Sequence, residues 1–238
     1  MPLPKLATPT YELEVPSTGK KIKYRPFLVK EEKILLLAME TEDETQMANA
    51  VKVILGNCIQ SPRFKIDSLS LFDIEYIFLN IRGKSVGESI ELNVTCPDDE
   101  ETVVKVEVDI DDIKIQKTKG HSNIVKLTDT VSVVMKYPSM DLFIKQNLKS
   151  ESSQVDDVFE IASLCIDQVI DGEDVFESSS FSKKEVLAFL EEMDTQQFLK
   201  VQEFFETMPK LSHKIKVTNP KTKVKSDVVI EGLQSFFA

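Results

Sequence analysis

The sequence contains no tryptophan, seven glycines, two histidines and three cysteines in 238 residues. Each scarcity removes a class of function. So few glycines do not make a Gly-rich cofactor fold, and without tryptophan a sugar-stacking platform has no indole. Cys58, Cys96 and Cys165 are odd in number, far apart and without a Cys-x-x-Cys pair. A structural zinc site needs four ligands with two local pairs, which these cysteines do not supply with His121 and His213. Cys58 and Cys165 lie in apolar helical stretches, where a free thiol behaves as a small buried hydrophobe. That usage points to a reduced, intracellular setting. No run reaches the ~20 apolar residues that cross a bilayer, and the N-terminus shows no apolar signal-peptide core. A net charge of −11 argues against general affinity for nucleic acid or anionic membrane.

What is present is a globular composition, 42% hydrophobic and 29% charged, enough for one large domain or two ordinary ones. Residues 1–10 carry three prolines and read as an extended arm. Tyr11–Val15 and Lys21–Tyr24 alternate around Pro16-Ser17-Thr18-Gly19, a hairpin with turn chemistry. From Val29 the period becomes helical, with Glu31 and Glu32 near the positive helix start. A second helix is predicted over Glu44–Ile59. A third runs over Ser70–Ile81, opened by Ser70-x-x-Asp73 and closed by Gly83-Lys84-Ser85-Val86-Gly87. Strands follow near Ser89–Thr95 and Thr102–Val108. Asp109–Ser122 reads as a boundary.

The order then recurs. A hairpin is predicted over Ile124–Met135, with helices near Met140–Leu148, Val155–Ile170 and Ser182–Glu192. Asp171–Ser180 reads as a polar loop. The helix Thr195–Thr207 has no earlier counterpart, and strands near His213–Thr218 and Lys223–Ile230 precede an apolar tail ending in Phe236-Phe237. Matched landmarks support a duplication: Lys23-Tyr24 and Lys136-Tyr137 each lead to a proline, Pro26 and Pro138. Ser70/Asp73 and Ser182/Glu185 open helices, and Val94-Thr95-Cys96-Pro97 and Val217-Thr218-Asn219-Pro220 open hairpin turns. The expected class is α+β, with two related units of helices and short antiparallel sheets. Their expected bounds are 11–112 and 123–238, joined by a linker over 113–122 and free to interleave.

Catalytic motifs are not evident. Gly83-Lys84-Ser85 resembles the end of a phosphate loop, but a helix precedes it and a strand follows, the reverse of what cradles phosphate. There is no Gly-x-Ser-x-Gly elbow, and two histidines give little for a triad. Asp98-Asp99-Glu100-Glu101 and Asp109-x-Asp111-Asp112 lack the calcium-loop pattern and read as solvated turns. No catalytic residue, cofactor or metal is expected.

Charge separates the two matching hairpins. Glu88–Asp112 holds ten acidic residues against Lys105 alone. Pro209–Ser226 holds six lysines, His213 and no acid. Elements of opposite sign can meet within a molecule, between copies, or each on its own partner. The candidate contact residues are therefore Asp98, Asp99, Glu100 and Glu101 on one hairpin, and Lys214, Lys216, Lys221, Lys223 and Lys225 on the other. Arg25, in Tyr24-Arg25-Pro26-Phe27, joins them because arginine and aromatics are enriched at interface hot spots.

Met1-Pro2-Leu3-Pro4-Lys5-Leu6, Lys23-Tyr24-Arg25-Pro26-Phe27-Leu28-Val29-Lys30-Glu31-Glu32-Lys33 and Arg82-Gly83-Lys84-Ser85-Val86-Gly87-Glu88 resemble T4-type bacteriophage baseplate proteins, the hub subunit and hub-assembly group. The resemblance is strongest over residues 1–110. It implies a contractile-tail phage protein made in the host cytoplasm, acting in the baseplate hub through contacts with other hub or tail proteins, with self-association open. Relatives carry paired cysteines where this chain has Cys96 alone, so a metal knuckle is not implied here. The alternative is a phage-encoded module that binds a host protein.

Overall fold

A computed structural model describes residues 6–41, 43–147 and 154–232. The start of the Pro-rich arm and the Phe236-Phe237 tail lie outside the described residues, and Leu6–Thr10 has no regular structure. In chain order the first elements are β1 (Tyr11–Glu14), β2 (Lys21–Tyr24), α1 (Val29–Met39), α2 (Glu44–Cys58), α3 (Leu71–Val86), β3 (Ser89–Thr95), β4 (Val103–Asp109), a 3-10 turn (Ile110–Asp112) and β5 (Lys114–Gln116). Next come β6 (Ile124–Lys126), β7 (Val131–Met135), α4 (Met140–Asn147), α5 (Gln154–Cys165), β8 (Ile166–Asp171), β9 (Asp174–Glu177), α6 (Lys183–Glu191) and α7 (Thr195–Thr207). The described chain closes with β10 (Lys210–Thr218) and β11 (Lys225–Glu231). Helices and small antiparallel sheets make this an α+β protein.

Two compact units divide the chain: Met1–Gln116 with Lys210–Ala238, and Lys117–Pro209. The 113–122 linker expected from sequence therefore contains a strand. β5 pairs antiparallel with the start of β10, Gln116 opposite Lys210 and Lys114 opposite Ser212. The chain leaves the first unit and returns to it on neighbouring strands, so Lys117–Pro209 is an insertion. The hairpin β10–β11, which the repeat assigns to the second half, belongs to the first unit.

In the first unit α3 is the central element. Ile74, Ile77 and Ile81 are wholly buried, with Phe78 and Leu79 almost so. Ser70 caps the helix by accepting from the Asp73 amide, and the buried Asp73 carboxylate accepts from the Ser17 amide at 2.9 Å, fixing the β1–β2 turn. The helix does not stop at Gly83 as the glycines imply. It runs to Val86 and ends at Gly87, whose φ of 136° favours glycine. Gly83 serves proximity instead, since a Cβ there would lie 3.1 Å from Ile110 Cδ1. Beyond α3, strict alternation in β3 buries Ile90, Leu92 and Val94, and β10 buries Leu211, Ile215 and Val217. These rows share one core with Leu79, Val108 and Ile230, so the two hairpins face each other.

The second unit is a sheet in the order β6-β7-β8-β9 with helices against one face. Val133, Met135, Cys165, Ile166, Leu190, Val201 and Phe204 form its centre. Two expectations fail here. The helix predicted over Val155–Ile170 stops at Cys165, and Ile166–Asp171 is a strand paired with β7. The loop predicted over Asp171–Ser180 contains β9. The stretch Ile166–Ile170 carries its apolar residues at 166, 169 and 170, which is the helical spacing. Its β-branched residues and the Asp171-Gly172 turn, with Gly172 at φ 59°, favour a hairpin.

Candidate functional site

The two hairpins that the sequence distinguishes by charge are built alike. β3 and β4 pair from Ser89 opposite Asp109 to Thr95 opposite Val103. β10 and β11 pair from Ser212 opposite Glu231 to Thr218 opposite Lys225. In one turn the Glu100 amide donates to the Cys96 carbonyl, and in the other Lys223 donates to Asn219, both at 2.9 Å. Glu100 and Lys223 take the left-handed conformation at φ 55° and 65°.

Their tips meet. Asn219, 1% exposed, donates through Nδ2 to both carboxylate oxygens of Asp98 at 3.1 Å, and the Thr222 hydroxyl donates to Asp98 as well. The Asn219 carbonyl oxygen accepts from the amides of Lys221 at 2.8 Å and Thr222 at 3.3 Å, which holds the basic turn in shape. Asp99 does the same work in the acidic turn, accepting from the Thr102 amide at 3.0 Å and from the Thr102 hydroxyl. The Thr222 hydroxyl, assisted by Asn219, holds the Asp98 carboxyl below the usual range, and Thr102 does so for Asp99. Of the four acidic candidates, Asp98 and Asp99 are thus engaged in turn structure. Glu100 and Glu101 are exposed.

The lysines are differently placed. Lys214 pairs with Asp227 across the ladder at 2.8 Å, which lowers the Asp227 pKa. Lys216, Lys221, Lys223 and Lys225 are exposed, and among the described residues none has a carboxylate within 4.0 Å. Lys216 and Lys225 lie on the outward face of β10–β11, with Lys221 and Lys223 on its turn. Lys216 stands opposite Asp227 and helps to lower its pKa, after the larger effect of Lys214, while Lys221, Lys223 and Lys225 place exposed positive charge on a braced hairpin of an acidic protein.

Arg25 is not an exposed anchor. Its side chain is 12% exposed and meets the wholly buried Glu31 at 3.0 Å, while Nη1 donates to the Pro26 carbonyl at 2.8 Å. Glu31 also accepts from the Leu28 amide at 2.8 Å and from Lys30 at 3.3 Å. Burial raises the Glu31 pKa, but the hydrogen bonds from Arg25, Leu28 and Lys30 outweigh it and hold the group low. Sequence inspection places Glu31 at a helix start, where an acid is usual on an exposed turn, and so misses the ion pair. Nearby, the Phe27 amide donates to Ser85 Oγ at 2.9 Å, and Ser85 donates to the Ile81 carbonyl. The Gly83-Lys84-Ser85 triplet is thus part of α3 and a clamp for the Arg-Pro-Phe corner.

Other reactive groups are packed. Burial pushes the Cys58 thiol up to about 11 and Cys165 to about 12, so both stay protonated at neutral pH. His121 stacks near Tyr137 and Phe204, and its ring nitrogens lie 2.9 Å from Thr207 Oγ1 and 3.1 Å from Tyr137 Oη. Burial lowers its pKa. Among the described residues, no three or more of His, Cys, Asp and Glu are grouped as a metal site, and no helix is long and apolar enough to cross a membrane.

The chain matches the family described as T4 bacteriophage base plate protein over residues 8–238 and belongs to that family. No curated protein and no solved structure matches it significantly.

Proposed function

We propose that this baseplate protein is a structural or assembly component of the baseplate hub, acting through protein–protein contacts without catalysis. The observation that carries this is the cluster of exposed Lys216, Lys221, Lys223 and Lys225 on the β10–β11 hairpin. Its fitting partner is an acidic surface on another hub or tail protein, because complementary charge speeds encounter and selects register. The Asp98–Asn219–Thr222 contact supports that role by holding the basic turn in one conformation before binding. A hairpin, helices and a closing hairpin recur in 11–112 and 123–238, with β8–β9 and α7 added in the second, and descent from one duplicated unit whose hairpins diverged in charge is part of this reading.

Mass spectrometry of purified virions and of hub-assembly intermediates tests the placement. A permanent subunit is found in both, and an assembly factor only in the intermediates. Absence from both, with a host protein recovered on the chain instead, overturns the hub reading in favour of a host-directed module.

A further inference from the structure

The four-stranded sheet of the inserted unit has two edges, and they are treated differently. At the β6 edge, Lys200 Nζ donates to the carbonyls of Lys126 and Leu127 at 3.0 and 3.2 Å. At the β9 edge no such cover exists among the described residues. β8 and β9 are joined by a two-residue turn, Gly172-Glu173, and Asp171 stands opposite Asp174. The Ser178 amide donates to the Asp167 carbonyl at 2.8 Å. In an antiparallel ladder the hydrogen-bonded pairs alternate, so Asp174, Phe176 and Ser178 direct their backbone groups to β8. Val175 and Glu177 direct theirs outward. The Glu177 carbonyl is taken by the Ser180 amide and hydroxyl. Among the described residues, the N–H and C=O of Val175 and the N–H of Glu177 remain open.

The side chains on this edge continue the core and then stop. Val133 on β7, Val169 on β8 and Phe176 on β9 form one cross-strand row. Val133 is wholly buried, Val169 is partly buried, and Phe176 is 50% exposed. Phe176 borders an apolar groove of about 400 Å³ with Val131, Val169, Phe181, Val186 and Phe189. On the other face of the strand Val175 is 55% exposed. Exposed edge strands are usually blunted. Here two large apolar residues sit at the open edge, with an acid on either side.

We propose that β9 receives an extended segment of a partner protein as an added antiparallel strand, and that this segment carries the pattern basic–apolar–apolar–basic. The register follows from β9 itself. A residue opposite Val175 accepts its N–H and donates to its C=O, and an apolar side chain there covers Val175. The preceding residue stands opposite Phe176 and extends the Val133–Val169–Phe176 row over the groove. The two outer positions face Asp174 and Glu177, where lysine or arginine is complementary. A second copy of β9 is a poor occupant, because outward-facing residues must pair with outward-facing ones: Val175 opposite Val175 sets Glu177 against Glu173 and Asp174 against Phe176, and Val175 opposite Glu177 sets an acid against Val175. The sequence contains no Lys/Arg-apolar-apolar-Lys/Arg tetrad elsewhere, so the occupant is a different protein. This inference is independent of the basic hairpin.

The experiment uses the full chain, isotopically labelled for NMR, titrated with a synthetic peptide containing Lys-Phe-Val-Lys. Slowed amide exchange and shift changes are expected at Val175 and Glu177. A Glu-Phe-Val-Glu peptide is expected to bind at least about tenfold more weakly, the loss of about 1.4 kcal/mol. Val175→Pro removes an N–H that the sheet does not use, which edge strands tolerate, and is expected to abolish the exchange protection. Phe176→Ser, at a half-exposed position, is expected to weaken binding by a similar factor and guards against misfolding of the proline variant. Leu199→Ser, at an exposed position on α7, is expected to leave binding unchanged. Peptide binding with no change at β9, equal binding of the acidic peptide, or no binding overturns the proposal. None of these results bears on the lysine hairpin, so the two can fail separately.

Discussion

Residues 11–112 and 123–238 each open on a hairpin, pass through helices and close on a hairpin, the second also holding β8, β9 and α7, and they differ in how they treat charge at two corresponding corners. In the first half the Arg25 amide donates to the Cys58 carbonyl at 3.0 Å, and in the second the Lys136 amide donates to Cys165 at 2.7 Å. Hairpin, helices and returning chain are closed by the same backbone contact. Yet Arg25 is spent on the buried Glu31, whereas Lys136 reaches Asp167 at 3.8 Å with both side chains nearly half exposed. After the contact Ile59 makes a single bridge to Tyr24, but Ile166 starts a six-residue strand. The closing hairpins show the opposite bias: Asp98 and Asp99 are engaged in turn structure, and most of the lysines are not. Charge is thus used for folding in one place and left exposed in another.

That contrast can be broken first at the corner. Arg25→Ala strands the wholly buried Glu31 and is expected to cost about 3 to 5 kcal/mol in chemical denaturation. Lys136→Ala removes an exposed pair and is expected to cost less than about 1 kcal/mol. Equal effects would show that the two corners are energetically the same.

The facing of the hairpins is tested next. Leu92→Ala on β3 and Leu211→Ala on β10 each empty a site in the shared core and are expected to cost about 3 kcal/mol. Their combined effect should depart from the sum if the rows pack together, as a double-mutant cycle measures. At the tips, Asn219→Ala removes the donor to Asp98 and the acceptor for the Lys221 and Thr222 amides. The expected loss is about 1 to 2 kcal/mol, read from the same denaturation curves.

Acid titration sharpens the same point with a smaller effect. Asp98 and Asp99 have folded pKa values below their unfolded ones, so their stabilising contribution is complete above the unfolded value of about 4. It is lost as pH falls through the folded values. Thermal melts of Asp98→Asn below about pH 4 should therefore lose less stability with acid than the parent chain loses. A parallel decline in both would place the acid sensitivity elsewhere.

The strands and helices that alternate cleanly are legible from sequence, as are the caps at Ser70 and Ser182 and the charge asymmetry of the hairpins. What alternation does not state is which buried faces meet. The rows Ile90-Leu92-Val94 and Ile215-Val217 each demand cover, but nothing local says that they cover each other across an insertion. Arg25 and Glu31 were illegible for a related reason: an acid in a first helical turn has a sufficient local explanation, and only tertiary packing buries it. β8 and β9 are hidden because Ile166, Val169 and Ile170 follow the helical spacing, although Asp171-Gly172 carries the turn signal. The exposed lysines were visible as residues, whereas their availability depends on Asp98 being held by Asn219 and Thr222.

The central claim is that the β10–β11 lysines form a contact surface rather than a solvated one. Its most direct measurement is the affinity of the chain for isolated baseplate hub proteins across a salt series, comparing the parent with a variant carrying Lys216, Lys221, Lys223 and Lys225 all changed to Gln. The account predicts an unchanged melting temperature, loss of binding in the variant, and parent binding that weakens with salt. Hub binding by the folded variant equal to the parent's, with no salt dependence in either, would contradict it.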